Sequence, residues 1–191
     1  MTPKILAFAG ATRTASFNKK LVRLGAAAAE QVGAHVTLID LRDFPIPLYD
    51  GDIEAAEGLP AKARELKAMI VASDALLLSC PEYNSSISAV LKNTIDWISR
   101  PRPDEPVAFK GKVAALLAAS PGKLGGVRGL FTVRQVLTVL GMVVLPTQFT
   151  LSNAGAAFNE DGTLKEEADR AAVRAVATEL VTSTIRLRQL A

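Results

Sequence analysis

Ala75-Leu76-Leu77-Leu78-Ser79-Cys80 runs directly into Pro81-Glu82-Tyr83-Asn84, and an amphipathic stretch ending at Asp96-Trp97 follows. A short unbroken apolar run bounded by turn residues reads as a strand buried on both faces, and the polar tetrapeptide after it as a loop leading into a helix. Strand, loop and helix in that order build a parallel sheet, and the loop falls at the carboxyl edge, where open α/β folds take their ligands. The start of the chain repeats the unit: Ile5 to Ala9 is followed by Gly10-Ala11-Thr12-Arg13-Thr14-Ala15-Ser16-Phe17-Asn18. One loop is furnished for phosphate, the other for a flat heterocycle.

Outward from these two units the alternation continues to both ends. Strands are predicted at Lys4 to Ala9, His35 to Leu41, Ala75 to Cys80, Lys112 to Ala119 and Met142 to Leu145. Helical faces are marked by Phe17, Leu21 and Leu24, by Leu66, Met69 and Ile70, and by the stripe Ile87, Val90, Leu91, Thr94, Ile95 and Ile98. Leu130, Phe131, Val136, Leu137 and Leu140 mark a fourth, and Val173, Val176, Leu180 and Ile185 a fifth. The expected architecture is one domain over residues 1 to 191, a three-layer α/β sandwich of five strands and five helices. Two stretches stay irregular, Arg42 to Pro60 and Pro146 to Gly162. Each reads equally as a lid or subunit contact and as a solvated loop.

Composition narrows the function. A net charge of +3, with the basic residues scattered, lacks the basic stripe that nucleic-acid binding needs. No apolar stretch approaches the roughly 18 residues of a membrane span, and the start Met1-Thr2-Pro3-Lys4 has no signal-peptide pattern, so a cytoplasmic location is expected. One cysteine, Cys80, and one histidine, His35, leave too few ligands for structural zinc and no ready serine-histidine relay. His35 is expected at an ordinary edge position. Cys80 is expected to be structural, because apolar burial suppresses the thiolate.

A phosphate monoester finds its natural receptor at a helix start, where unpaired N–H groups converge with the positive dipole end. Thr12, Thr14 and Ser16 add hydroxyls, Arg13 a planar cation and Asn18 an amide donor. The spacing matches neither the triphosphate loop nor the dinucleotide fingerprint. Since Ser, Thr and Asn are also common helix caps, this loop by itself leaves a plain helix start open. In the second loop Pro81 sets the chain as it leaves the strand, and Glu82, Tyr83 and Asn84 offer backbone donors and an aromatic surface. A third loop, Ser120-Pro121-Gly122-Lys123-Leu124-Gly125-Gly126, carries glycines that permit close backbone approach.

Together these residues resemble the NAD(P)H-dependent FMN reductase family, the flavodoxin-like quinone and chromate reductases. Arg13, Ser16, Phe17 and Asn18 match its phosphate loop, Pro81 to Asn84 its signature, and Leu91-Lys92-Asn93 with Asp96-Trp97 the helix after it. Ser120, Gly122, Gly125 and Gly126 match its third loop, and Leu41-Arg42-Asp43 with Pro45, Pro47, Leu48 and Tyr49 the exit of the second strand. The resemblance implies a five-stranded parallel sheet in the order 2-1-3-4-5 and noncovalent FMN held by Thr12, Arg13, Ser16, Phe17, Asn18, Pro81 to Asn84, Ser120, Gly122 and Gly125. It implies electron transfer from NADPH or NADH to a small-molecule acceptor such as a quinone or free flavin, without a catalytic side chain or metal, in a homodimer or a dimer of dimers. Many relatives carry Ser where this chain has Ala11, so one hydroxyl contact is missing. Arg100 reads either as an attractor for an anionic acceptor or as a surface residue. Phe44, Ile46, Pro47, Leu48 and Tyr49 form an apolar cluster expected at a subunit contact. The competing readings are a flavodoxin-type single-electron carrier, which would usually present an acidic docking face, and an FMN-binding regulatory module without turnover.

Overall fold

The computed structural model describes residues 2–101 and 106–190. In chain order its elements are β1 (Lys4–Ala9), α1 (Phe17–Gln31), β2 (His35–Asp40), a 3-10 turn (Leu41–Asp43), α2 (Gly51–Glu57), α3 (Ala61–Ala72), β3 (Ala75–Ser79), the small strands β4 (Glu82–Tyr83) and β5 (Ser86–Ile87), α4 (Ala89–Ile98), β6 (Val113–Ala119), α5 (Val127–Val139), β7 (Val143–Leu151), α6 (Ala154–Ala157) and α7 (Glu167–Leu190). The five long strands lie in the order β2-β1-β3-β6-β7, all parallel, which is the expected 2-1-3-4-5 order.

The two-residue period of a strand sends alternate side chains to opposite faces. In β1 that sorting puts Ile5, Ala7 and Ala9 in one core with Leu21 of α1 and Val176 and Leu180 of α7. Leu6 and Phe8 go to the other, with Leu66, Ile70, Leu91, Ile95, Leu130 and Leu137 from α3, α4 and α5. Every residue of β3 and β6 is buried, as the unbroken apolar runs predicted. Full burial of each large aliphatic side chain is worth roughly 1.5–3 kcal/mol, so the central strands anchor the loops at their carboxyl ends. His35 is exposed at the start of the edge strand β2.

The expected five helices become seven among the described residues, because α2 lies within Arg42 to Pro60 and α6 within Pro146 to Gly162, both read as irregular. Four further expectations need correction. First, β7 does not stop at Leu145 but continues through Pro146 to Leu151, with a register shift in which Ala114 faces Val144 while Leu116 faces Gln148. An edge strand tolerates a proline at such an irregularity, because the missing N–H leaves no interior ladder bond broken. Arg134 of α5 bridges the shift by donating to the Val144 carbonyl at 3.0 Å and the Gln148 side chain at 2.9 Å. Second, Ile87 belongs to the β4–β5 hairpin, and α4 begins only after Ser88. Third, Phe131 stands 61% exposed instead of facing the core.

Fourth, the apolar cluster after β2 is largely satisfied within the chain. Phe44 joins the second core, and Tyr49 packs edge-on against the buried Trp97 with ring centroids 5.0 Å apart. Trp97 Nε1 and Asn93 Nδ2 each donate to the Pro47 carbonyl at 2.8 Å, and the Tyr49 N–H donates to Asn93 Oδ1 at 2.8 Å. These bonds lay Pro47 to Tyr49 along α4. Pro47 and Leu48 remain exposed, Leu48 at 78%, and Ile46 and Tyr49 are half-buried, so part of the cluster is still open to a partner.

Candidate functional site

The first loop connects β1 to α1, and its residues divide by role. Thr12, Arg13 and Thr14 are exposed, while Ser16 and Asn18 are buried. Ser16 is the N-cap residue of α1, yet its side chain makes no capping bond. Its hydroxyl, on a residue only 6% exposed, has no protein partner among the described residues. A buried unpaired hydroxyl costs free energy, so this one is placed for a partner from outside the chain. Arg13 is held nearby, donating to the Ala15 carbonyl at 2.7 Å with its guanidinium 5.7 Å from the centre of the Phe17 ring. Phe17 itself stacks on Phe158 at 6.2 Å.

Asn18 has a different task from the one expected. Its Nδ2 donates to the Ala119 carbonyl at 2.8 Å, and its Oδ1 accepts from the Ala119 N–H at 3.0 Å and from the Ser79 hydroxyl at 2.9 Å. The amide is therefore spent tying the head of α1 to the ends of β3 and β6. It positions the loop, and one hydrogen of its Nδ2 remains without a protein acceptor among the described residues.

The second loop is a hairpin with Asn84 and Ser85 at φ of 50° and 64°. Two successive positive values are the mark of a tight two-residue turn that matches strand twist. The turn leaves Tyr83 57% exposed, its ring available to a flat partner. Glu82 turns its carboxylate to α5, accepting from the N–H groups of Arg128 at 2.9 Å and Gly129 at 3.1 Å and from Arg128 Nε at 2.8 Å. The positive end of α5 thus already has its anion. Pro81 is buried. Ser88 then staples the two loops, donating to the Gly10 carbonyl at 2.6 Å and accepting from the Leu91 N–H at 3.3 Å.

In the third loop Ser120 Oγ accepts from the Gly122 N–H at 3.1 Å, and the Gly122 carbonyl accepts from Gly125 and Asn153, both at 3.3 Å. The two glycines differ in why they are glycine. A Cβ on Gly125, at φ +61°, would sit 3.0 Å from the Thr150 backbone, so β7 packing demands it. A Cβ on Gly122 would meet nothing closer than the Ser120 hydroxyl at 3.6 Å, and Gly122 is exposed. Its bareness leaves room for a ligand.

Three groups that sequence reasoning left out of the loop also belong to it. Lys19 is buried, its Nζ 2.6 Å from Asp40 Oδ2 and 3.2 Å from the Thr12 carbonyl, which also accepts from Arg42. Burial would raise the Asp40 carboxyl, but the hydrogen bonds from Lys19 and the Arg42 N–H, with both positive charges, hold it below its ordinary value of 3.8. A charged residue at the last position of a strand was the available signal. Arg100, by contrast, ends α4, donating to the Asp96 carbonyl at 3.1 Å with its guanidinium 5.3 Å from the centre of the Tyr49 ring. Cys80 is buried, and burial pushes its thiol up, consistent with a structural role.

The residues fit FMN on observations of the structure: an orphaned hydroxyl at an uncapped helix head, an exposed aromatic ring and an open glycine. The 2-1-3-4-5 order, with loops gathered at the carboxyl edge, defines a flavodoxin-like fold. The model of the NADPH-dependent FMN reductase family matches residues 3–156. The NAD(P)H-dependent FMN reductase of Pseudomonas aeruginosa is 38% identical over 168 residues, 87% of each chain. The quinone reductase of Escherichia coli K12 is 37% identical over 145 residues, 74% of this chain and 73% of the relative. Among solved structures, the flavoenzyme NAD(P)H:(acceptor) oxidoreductase FerB of Paracoccus denitrificans superposes with a TM-score of 0.83 at 27% identity, covering 97% of this chain and 98% of its own. The chain belongs to the NADPH-dependent FMN reductase family and is an NAD(P)H-dependent FMN oxidoreductase.

Proposed function

We propose that the protein, as a single domain over residues 1 to 191, holds FMN noncovalently across its three edge loops and uses NADPH or NADH to reduce a quinone, a free flavin or a similar two-electron acceptor. The observation that carries the reading is Ser16, a buried hydroxyl without a protein partner at the uncapped head of α1. On this reading Ser16, Thr12, Arg13 and the first N–H groups of α1 hold the phosphate, Asn18 acting only through the fold. Pro81 shapes the second loop, Glu82 fixes it to α5, and Tyr83 covers a planar ring presented at the Asn84 turn. Ser120, Gly122 and Gly125 shape the third loop. Held by these residues, FMN would supply two-electron redox chemistry between a nicotinamide and the acceptor. The chain contributes orientation and fixed dipoles, and no side chain acts as acid or base.

The reading extends to a cytoplasmic homodimer or dimer of dimers. It is supported by apolar side chains left in water on α5 and at the start of β7, namely Phe131, Val139 and Val143. Among the described residues no helix is long and apolar enough to cross a membrane. One cleft receiving nicotinamide and acceptor in turn requires exchange kinetics, so NADPH oxidation measured against quinone concentration is expected to yield parallel double-reciprocal lines. Intersecting lines would reject the shared cleft. Absence of turnover would favour a carrier or a regulatory module.

A further inference from the structure

We propose that Arg42 is the positioning residue that makes the flavin site prefer a phosphorylated flavin, acting through Thr14 and the Thr12 peptide instead of touching the phosphate. The inference rests on the placement of the FMN phosphate in the first loop, argued above. Arg42 lies in the 3-10 turn after β2, far in sequence from that loop. Its Nε and Nη2 donate to the Thr12 carbonyl at 3.1 and 2.6 Å, and Nη2 also donates to Thr14 Oγ1 at 2.7 Å. The turn is held in place by its own anchor: the Arg42 N–H donates to Asp40 Oδ1 at 3.0 Å, while Asp40 Oδ2 takes the buried Lys19 ammonium at 2.6 Å.

Two consequences follow from elementary geometry. The Thr12 carbonyl accepts from two cations, Lys19 and Arg42, so its direction is set. In a planar trans peptide the N–H points opposite to the C=O. The Arg13 N–H is therefore turned away from both cations, and it has no backbone or side-chain acceptor among the described residues. The second consequence concerns Thr14. A hydroxyl has one hydrogen to give and two lone pairs to receive with. Arg42 occupies a lone pair, and no described protein group takes the hydrogen, so Thr14 is left as a donor polarised by a guanidinium. Arg42 thus converts a neutral peptide and a neutral hydroxyl into two aimed donors. The matching ligand is a phosphate monoester; riboflavin offers them only a neutral hydroxyl oxygen.

The test uses the full-length protein loaded with FMN or with riboflavin, with dissociation followed by recovery of flavin fluorescence on dilution. Arg42→Ala is expected to weaken FMN about tenfold, the size of a lost charge-assisted contact, and to leave riboflavin within about twofold. Thr14→Ser, which keeps the hydroxyl, should bind FMN like the wild type. Combining Arg42→Ala with Thr14→Val should cost less than the product of the two single losses, because the two share a path. Losses that multiply would mean that Arg42 meets the phosphate directly and would overturn the indirect role. An unchanged FMN-to-riboflavin ratio in Arg42→Ala would overturn the inference while leaving the flavin site standing. A wild-type protein binding both flavins equally would remove the phosphate site itself, and the inference with it. Should Arg42→Ala lose riboflavin as well, Arg42→Gln replaces it and the same ratio decides.

Discussion

Ser16 and Asn18 sit two residues apart at the head of α1, and both looked like phosphate donors in the sequence. Both are buried and hydrogen bonding separates them: the Asn18 amide is bonded to Ala119 and Ser79, whereas the Ser16 hydroxyl has no protein partner among the described residues. Ser16→Ala is expected to leave the flavin-free protein as stable as before, or more so, because it deletes a buried unpaired group. The same change should weaken FMN several-fold, the effect of one lost hydrogen bond of about 1 kcal/mol. Thermal melting without flavin and fluorescence titration with it report the two effects separately. Asp40 carries a pH signature. Its folded carboxyl titrates below 3.8, so the native state binds fewer protons than the unfolded chain in that window. Stability from the Lys19–Asp40 pair is present above 3.8 and is lost as pH falls through the lower native value. Asp40→Asn should melt earlier than the wild type at neutral pH. The gap between the two melting temperatures is expected to narrow as pH drops below 3.8; a constant gap would contradict the assignment.

Among elements, the third loop distinguishes glycine kept for packing from glycine kept for a ligand. Gly125→Ala forces a left-handed residue against Thr150 and is expected to destabilise the fold by about 1–3 kcal/mol, read by denaturant midpoint. Gly122→Ala meets only the Ser120 hydroxyl at 3.6 Å, so its midpoint should hold while FMN affinity drops. Equal loss of stability in both would remove the reason for placing Gly122 at the ligand. The helices and central strands were legible because burial on one face or two leaves a period that any reader can count. β7 was not, since Pro146 reads as a strand end unless one knows that the strand is at the edge and that Arg134 serves its irregular register. The hairpin was hidden for a related reason: Asn84 and Ser85 carry no glycine to signal positive φ.

For the whole molecule, the proposed assembly concerns the apolar surface left in water. With Phe44 buried and Tyr49 resting against Trp97, the exposed apolar groups on α5 and β7 are the surface that the proposed assembly would cover. Light scattering at micromolar concentration is expected to give at least twice the monomer mass, and Phe131→Glu should reduce it; a monomer with full activity would reject the proposed assembly. The sequence by itself determined the alternation of strands and helices that builds a parallel sheet, because apolar runs and helical stripes succeed each other from end to end. The loop motifs pointed to the family. Tertiary structure alone decided which polar side chains are spent and which remain. Asn18, Glu82 and Arg100 are engaged by partners 101, 46 and 4 residues away, and Arg42 reaches back 30 residues to Thr12. Hydrogen-bond saturation is a property of atoms brought together by the fold, and no local pattern along a chain encodes it.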